Sequence, residues 1–567
     1  MSSASFHVAD HLVERAAAEP SRAAIHFPLR GVNPSGTSLH RTITFAELNA
    51  DSDAIAAGLA RSGIRPGMRT ALMVPPSPDF FSLTFGLFKL GAVPVLIDPG
   101  MGVKNLGNCL AEAEPEAFIG IPKAHFARRL LRWAKRSIRI TVNVGRRRFF
   151  CTASLEAIRQ PSGGRQPLVS EERGTSVPRS DNEPAAILFT SGSTGVAKGA
   201  VYTQGIFAAQ IELLRDTYGI RPGEVDLCTF PLFALFGPAL GMTCVIPDMD
   251  ASRPAKIDPR KAAAQMAQFG VTNLFGSPAV IRRLGELTNS KPFANLKRVI
   301  SAGAPATAAS VERLTKLLPD GVEIFTPYGA TEALPVANIG SREILTDTRR
   351  LTEEGKGVCI GRPVKGIEVR VVAISDEPIA EWSEELILPP GTIGEFVVRG
   401  PVVTREYFHR PQATVLAKIR DPLTGDILHR MGDVGYIDDR GRMWFCGRKS
   451  HRVQTPHGTL FTDQVEPIFN LVPGVARTAL VGWNSQPVVC VELADGPRDG
   501  AWPGILRDLL AQAARFEHTR GIATFLEYPT TFPVDVRHNS KIFREKLAAW
   551  ARVALGRNRE PADNRSP

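Results

Sequence analysis

Hydroxyls, glycines and a lysine crowd the stretch Ile187–Lys198, ILFTSGSTGVAK, in a pattern suited to gripping a polyphosphate. Glycines let backbone N–H groups close on an anion, hydroxyls add donors, and Lys198 adds a movable positive charge. The spacing is not that of a Walker A loop, because Gly192 is followed five residues later by Ala197 rather than by glycine ahead of the lysine. A surface turn is the plain alternative for a run of Ser, Thr and Gly. The phosphate reading is favoured by the apolar run before the turn, by Val196 and Ala197 as its only apolar side chains, and by the lysine that closes it.

Elements on either side must hold this turn in place. Ile187, Leu188 and Phe189 read as a short buried strand, and Phe207, Ile211 and Leu214 mark one face of a helix starting at Gln204. Upstream, MRTALMVPP, FFSLTFGLFKLG and GAVPVLIDPG alternate strand, helix, strand, which predicts a βαβ unit and a parallel sheet. EAFIGIP adds a further strand, and the polar stretch from about Ser154 to Pro184 reads as a loop or linker. Downstream, LKRVISAGAP ends a strand in small residues and VEIFTPYGATEALP ends another in Tyr-Gly-Ala-Thr-Glu. Strand ends meeting at one edge of a parallel sheet form a ligand crevice, so the loop, Gly303-Ala304-Pro305 and Tyr328–Glu332 are expected to converge there. The run CTFPLFALFGPALGMTCVIPDM suits a greasy pocket, although plain core is the better reading for most of its side chains.

From Gly391 short strands and Gly/Asp turns predict a β-rich subdomain. After Gly447-Arg448-Lys449 the pattern becomes that of a small α+β unit, and the residues from about Asn558 read as a disordered tail. The expected fold is therefore α/β: a large domain over 1–448 with parallel βαβ-type sheets and a β-rich part, a small mobile α+β domain over 449–557, and the tail 558–567. At 567 residues several cores are required.

Composition narrows the function. An apolar content of 43% and a charged content of 22% describe a soluble globular protein. No run reaches the roughly 18 apolar residues that a membrane span needs, and the first residues lack a signal-peptide layout. Seven scattered cysteines, never spaced as CxxC, suggest reduced thiols in a cytoplasm, with no disulfide framework and no zinc site. The formal charge of +11 is partly local, with Arg128 to Arg148 mixing nine cations with Leu130, Leu131 and Trp133. That segment reads either as an amphipathic helix touching a membrane or as a solvated helix face. No nucleic-acid motif accompanies the charge.

Taken together, FTSGSTGVAKG, SAGAP, YGATE, GDVGYID, GRK and the late lysine of NSKI resemble, in that order, the adenylate-forming superfamily of acyl-CoA synthetases, luciferases and peptide-synthetase adenylation domains. PLFALFGPALG, VIPDMD, RTALVGW and FPVDVRHNSKI look like the olefin-pathway β-lactone synthetases within it. The resemblance implies ATP and Mg²⁺ as cofactors and a long-chain 3-hydroxy acid as substrate. It leaves room for assembly with other olefin-pathway enzymes, and for at most peripheral membrane contact.

It also implies roles. Thr190, Ser191, Gly192, Ser193, Thr194, Gly195 and Lys198 would cradle the β- and γ-phosphates. Gly303, Ala304, Pro305, Tyr328 and Gly329 would line the adenine site, with Tyr328 flat on the ring. Thr331 would donate to the α-phosphate and Glu332 would hold the metal. Asp433 would accept from both ribose hydroxyls, and Arg448 would add donors. Lys541 would reach in from the small domain to neutralise charge as the acyl carboxylate attacks. Phe233, Ala234, Phe236 and Gly303 would line the acyl pocket.

The thioester-forming members of the superfamily carry Asp or Lys at the hinge where this chain has Ser450, followed by a flexible Lys/Gly loop where it has His451–Gly458. Pro456 fixes φ and removes an N–H in that loop. These departures point away from a coenzyme A step and toward an adenylate consumed internally. A fatty acyl-CoA or acyl-AMP ligase is the alternative enzyme, and a non-catalytic acyl- or membrane-binding protein is the alternative from another class. His451 and His457 are candidates for the base of ring closure by placement alone.

Overall fold

The computed structural model describes residues 7–32, 38–145, 151–160, 181–190, 197–229, 236–288, 293–494, 500–534 and 542–557. The expected tail and the middle of the expected linker lie outside them.

The βαβ unit is present. Strand Arg69–Met73 leads through helix Pro78–Leu90 into the parallel strand Val93–Ile97. The helix starts where Ser77 accepts from the Phe80 N–H and a proline takes the first turn. It stops at Gly91, whose φ of 79° suits glycine. Phe80 through Phe88 are buried without a break, so this helix is apolar all round and lies inside the protein.

These strands belong to a seven-stranded sheet in the order Ala153–Ser154, Ile140–Asn143, Ala117–Gly120, Arg69–Met73, Val93–Ile97, Pro184–Thr190, Lys198–Thr203. All neighbours are parallel except the last pair, which is an antiparallel hairpin. A second, 14-stranded sheet contains Glu323–Ala330, Arg298–Ser301, Asn273–Gly276, Val225–Cys228, Thr243–Val245 and Ala23–Val32 as successive parallel neighbours. Beyond Glu323–Ala330 it turns antiparallel through Ala333–Gly340, Val358–Pro363, Met443–Arg448, Ile427–Ile437, Gly394–Arg399 and Glu368–Val372. The turn Thr331-Glu332 sits where the sheet changes from parallel to antiparallel. One core joins the two sheets, with Leu72, Leu96 and Ala186 from the first packing in the same cluster as Ile25, Cys244 and Ile300 from the second.

After Arg448 the chain forms a separate three-stranded sheet of Val475–Trp483, Gln486–Leu493 and Thr524–Glu527. Helices Thr462–Phe469 and Trp502–Ala514 pack on it around Val465, Phe469, Leu480 and Leu509, and helix Arg544–Arg557 adds Leu547 and Ala551 against Ala479 and Val488.

Three expectations need correction. Ser154 does not open a loop: it caps helix Leu155–Arg159, whose Ile158 packs so closely on Gly58 that a Cβ there would meet the Ile158 carbonyl at 2.1 Å. Lys198 opens a strand rather than merely closing a turn. The third concerns convergence on one sheet edge. The loop after Thr190 belongs to the first sheet, whereas Gly303-Ala304-Pro305 and Tyr328–Glu332 belong to the second, so the site lies between two sheets. Each sheet needs its own closed hydrogen-bond ladder, and the shared core brings their edges together.

Candidate active site

The link between the sheets is polar and specific. Thr190 and Lys198 face each other across the hairpin that brackets the hydroxyl-rich loop. Residues 191–196, which include Ser191, Gly192, Ser193, Thr194 and Gly195, lie outside the described residues. On the second strand of the hairpin, the Tyr202 hydroxyl donates to the Thr331 carbonyl at 2.6 Å. Gln210 on the following helix donates to the Leu334 carbonyl at 3.0 Å. The two contacts fix the turn Thr331-Glu332 against the first sheet.

Glu332 is held from the other side. The Tyr407 hydroxyl donates to Glu332 Oε1 at 2.6 Å. The Thr404 N–H and hydroxyl donate to the Glu332 carbonyl at 2.8 and 3.2 Å. Lys418 is buried beneath, donating to the Thr404 carbonyl and to Thr404 Oγ1, the latter at 3.0 Å. Two ammonium groups flank the Tyr407 ring, Lys198 at 4.9 Å and Lys418 at 5.8 Å from its centroid. Burial, then the Glu332 carboxylate, raises the Tyr407 phenol far above its ordinary pKa, so it stays a donor. Burial pulls Lys418 down to about 7, against the attraction of Glu332.

A second cluster forms about 100 residues further along the chain. Asp433 and Arg448 are directly opposed on neighbouring strands. Arg448 Nη1 lies 2.8 Å from Asp433 Oδ1, and the Tyr328 hydroxyl donates to Oδ2 at 2.6 Å. Burial pushes the Asp433 carboxyl above its usual range, while Arg448 and Tyr328 pull it back. Arg448 in turn is raised chiefly by Asp433. Among the described residues, the buried Oδ1 meets Arg448 as an ion pair and takes no directed hydrogen bond. A carboxylate oxygen paired in this way keeps lone pairs for further donors, which fits a site for ribose hydroxyls. The hydroxyls of Ser277 and Ser301, at the carboxyl ends of neighbouring parallel strands, are buried without hydrogen-bond partners among the described residues.

Gly303 adopts φ of 95°, which explains glycine after the strand Arg298–Ser301, and Ala304 and Pro305 continue that turn. Gly329 is needed for another reason: a Cβ there would come within 2.8 Å of the Ala333 carbonyl across the hairpin. The Tyr328 ring packs edge-on to Phe396, with centroids 6.3 Å apart. Phe236 packs on Phe207 with ring centroids 6.1 Å apart, beside the buried Met242 and Cys244 expected as plain core. Phe233, Ala234 and Lys541 lie outside the described residues. Val534 and Ile542, the described neighbours of the Lys541 segment, form an antiparallel bridge.

Among the described residues no group of three or more His, Cys, Asp or Glu is arranged to hold a metal. Glu332 offers one carboxylate, with Oε1 taken by Tyr407. A single carboxylate suits Mg²⁺, which keeps waters and borrows oxygens from substrate phosphates.

The segment after Ser450 includes a hairpin of Val453–Thr455 and Gly458–Leu460, with Pro456 and His457 exposed at its tip. His451 is part-buried, and burial together with Arg544 and Arg448 lowers it to about 4, leaving it neutral and weakly basic near pH 7. Lys449 is committed elsewhere, 3.2 Å from Glu395, whose carboxylate also pairs with Arg430 at 2.6 Å.

Residues 12–408 match the model of a family described as AMP-binding enzyme. A protein of Stenotrophomonas maltophilia named olefin beta-lactone synthetase is 50% identical over 97% of this chain and 98% of its own. One of the same name from Xanthomonas campestris pv. campestris is 50% identical over 96% of this chain and 97% of its own. In fold, the chain is similar to an anthranilate CoA ligase crystallised with anthranoyl-AMP, at a TM-score of 0.77 and 18% identity, covering 97% and 98% of the two chains.

Proposed function

Since the chain belongs to the AMP-binding enzyme family, we propose that it adenylates a long-chain 3-hydroxy fatty acid with ATP and closes the adenylate to a β-lactone. The observation that carries this reading is half-identity, over nearly the whole length, to two proteins named olefin beta-lactone synthetase.

In the first step a carboxylate oxygen attacks the α-phosphorus of ATP and the bond to pyrophosphate breaks, giving acyl-AMP. Asp433, paired with Arg448, accepts from the ribose hydroxyls, and Arg448 adds donors. Glu332, steadied by Tyr407, would hold Mg²⁺, which when bound would offset phosphate charge. Lys198 and the loop 190–195 meet the phosphates, and Thr331 meets the α-phosphate. Residues 449–557 act as a lid over the domain 1–448 and bring Lys541 to the transferring group.

In the second step the substrate's own hydroxyl oxygen attacks the acyl carbon. The acyl–phosphate bond breaks, AMP leaves, and the hydroxyl proton passes to a base. The nucleophile is tethered, so orientation takes the place of a second substrate. The short hairpin at 453–460, with Pro456 at its tip, supports a site that lacks a coenzyme A step. The seven cysteines are free thiols, and among the described residues no helix is long and apolar enough to cross a membrane.

The test is product analysis by mass with ATP and a 3-hydroxy acid, beside its 3-deoxy counterpart. AMP, pyrophosphate and lactone without coenzyme A support the reading. A strict coenzyme A requirement, with thioester released from the deoxy acid, would make the protein a fatty acyl-CoA ligase instead.

A further inference from the structure

Between Glu116 and Glu156 the chain carries ten lysines and arginines and no carboxylate. The adenylation site uses none of them. Helix Pro122–Leu130 opens this stretch, and its inner side is fixed: His125 is buried with Nε2 3.0 Å from the Val142 carbonyl, and Ala124 and Ala127 pack on Phe118. The chain then turns sharply through Arg132 and Ala134, at φ of 55° and 43°, which drives Trp133 inward. Trp133 packs so tightly on the preceding helix, Val103–Ala113, that a Cβ at Gly107 would lie 2.8 Å from its indole nitrogen.

The same geometry leaves apolar side chains outside. Phe126, Leu130 and Leu131 are 58%, 68% and 44% exposed. Phe126 and Leu130 are four residues apart on one helix face, and Leu131 follows directly. Lys123, Arg132, Lys135, Arg136 and Arg139, all exposed, lie in the same stretch, and among the described residues none of these five side chains is in an ion pair. Turning His125 and Trp133 inward while leaving three large apolar side chains exposed among unpaired cations is not what a solvated face requires.

We infer that this segment is a docking surface for an anionic lipid bilayer, with Phe126, Leu130 and Leu131 entering the headgroup boundary and the cations meeting lipid phosphates. Charge complementarity selects this occupant. A second copy of the chain would set ten cations against ten, and a nucleic acid would leave the leucines without a partner. Apolar insertion combined with electrostatic attraction is how peripheral proteins hold a membrane surface. The inference stands whatever acid the catalytic site takes.

The experiment is cosedimentation of the full-length protein with vesicles of phosphatidylcholine alone and with about 30% phosphatidylglycerol. Binding should be at least about tenfold tighter on the mixed vesicles and weaken with added salt. Lys135→Glu with Arg136→Glu should lower partitioning by about twentyfold, at roughly fivefold per charge before reversal is counted. Phe126→Ser with Leu130→Ser should lower it by about tenfold. ATP–pyrophosphate exchange with detergent-dispersed acid should be unchanged in both double variants, which shows that they fold. Equal binding to both vesicle types overturns the inference, as does a serine pair that binds like the parent protein. Capture by polyglutamate, with no vesicle binding, would assign the surface to an acidic protein and overturn it as well.

Discussion

Two carboxylates anchor the site, and they are held in opposite ways. Asp433 is 2% exposed, faces Arg448 across a strand pair and takes the Tyr328 hydroxyl. Glu332 is half-buried on a turn and takes one phenol, with Lys198 and Lys418 at 4.9 and 5.8 Å from the centre of that phenol's ring. The first arrangement neutralises charge in advance and keeps carboxylate lone pairs for further donors, which suits a neutral polyol. The second leaves the carboxylate outside any ion pair among the described residues, at the point where a metal would arrive. A nucleotide site needs both, because ribose is bound by orientation whereas the triphosphate is bound by charge.

The sharpest test of that contrast is to neutralise each carboxylate. Glu332→Gln keeps the shape and the Tyr407 hydrogen bond but removes the charge, and should lower ATP–pyrophosphate exchange on the order of a hundredfold or more in kcat. Raising Mg²⁺ should recover part of the loss. Asp433→Ala should act mainly on binding, raising KM for ATP by about 10- to 100-fold through lost charge-assisted hydrogen bonds, with a smaller change in kcat. If the two variants showed the same split between kcat and KM, the division of labour between the carboxylates would be wrong.

Much of this frame was legible in the sequence because the motifs lie at strand ends whose patterns are local. YGATE, the aspartate of GDVG and the arginine of GRK come together in the folded chain, and the βαβ unit and the small C-terminal α+β unit stand where periodicity put them. What could not be read were the groups that hold Glu332. Tyr407 acts on a residue 75 positions away, and Tyr202 on one 129 positions away, so neither role has a local signature. The strand Lys198–Thr203 was hidden because only a partner strand makes it one. Lys418 did leave a trace: it sits between Val415-Leu416-Ala417 and Ile419, a lysine inside an apolar run.

Tyr407→Phe tests the looser of the two anchors. The ring and its contacts with the lysines remain while the hydrogen bond to Glu332 is lost, so stability should change little and exchange should fall about tenfold. The loss should be greatest at low Mg²⁺, because a Glu332 free to rotate binds the metal less well.

A further expected effect is on stability rather than rate. Lys418 is depressed to about 7 in the folded protein by burial, against an ordinary 10.5. Between those values the unfolded chain holds a proton that the folded one has released. Folding stability therefore rises with pH across this window, and below about pH 7 the buried lysine carries its full penalty. Lys418→Met removes the titration. The stability of the parent protein relative to this variant, from denaturant melts at a series of pH values, should climb from about pH 7 toward 10 by at most about 1.4 kcal/mol per unit. Glu332 opposes the depression, so adding Glu332→Gln to the parent background should start the climb at lower pH. A window that does not move would mean that the Glu332 charge is not felt at Lys418, and that the lysine supports the turn through Thr404 alone.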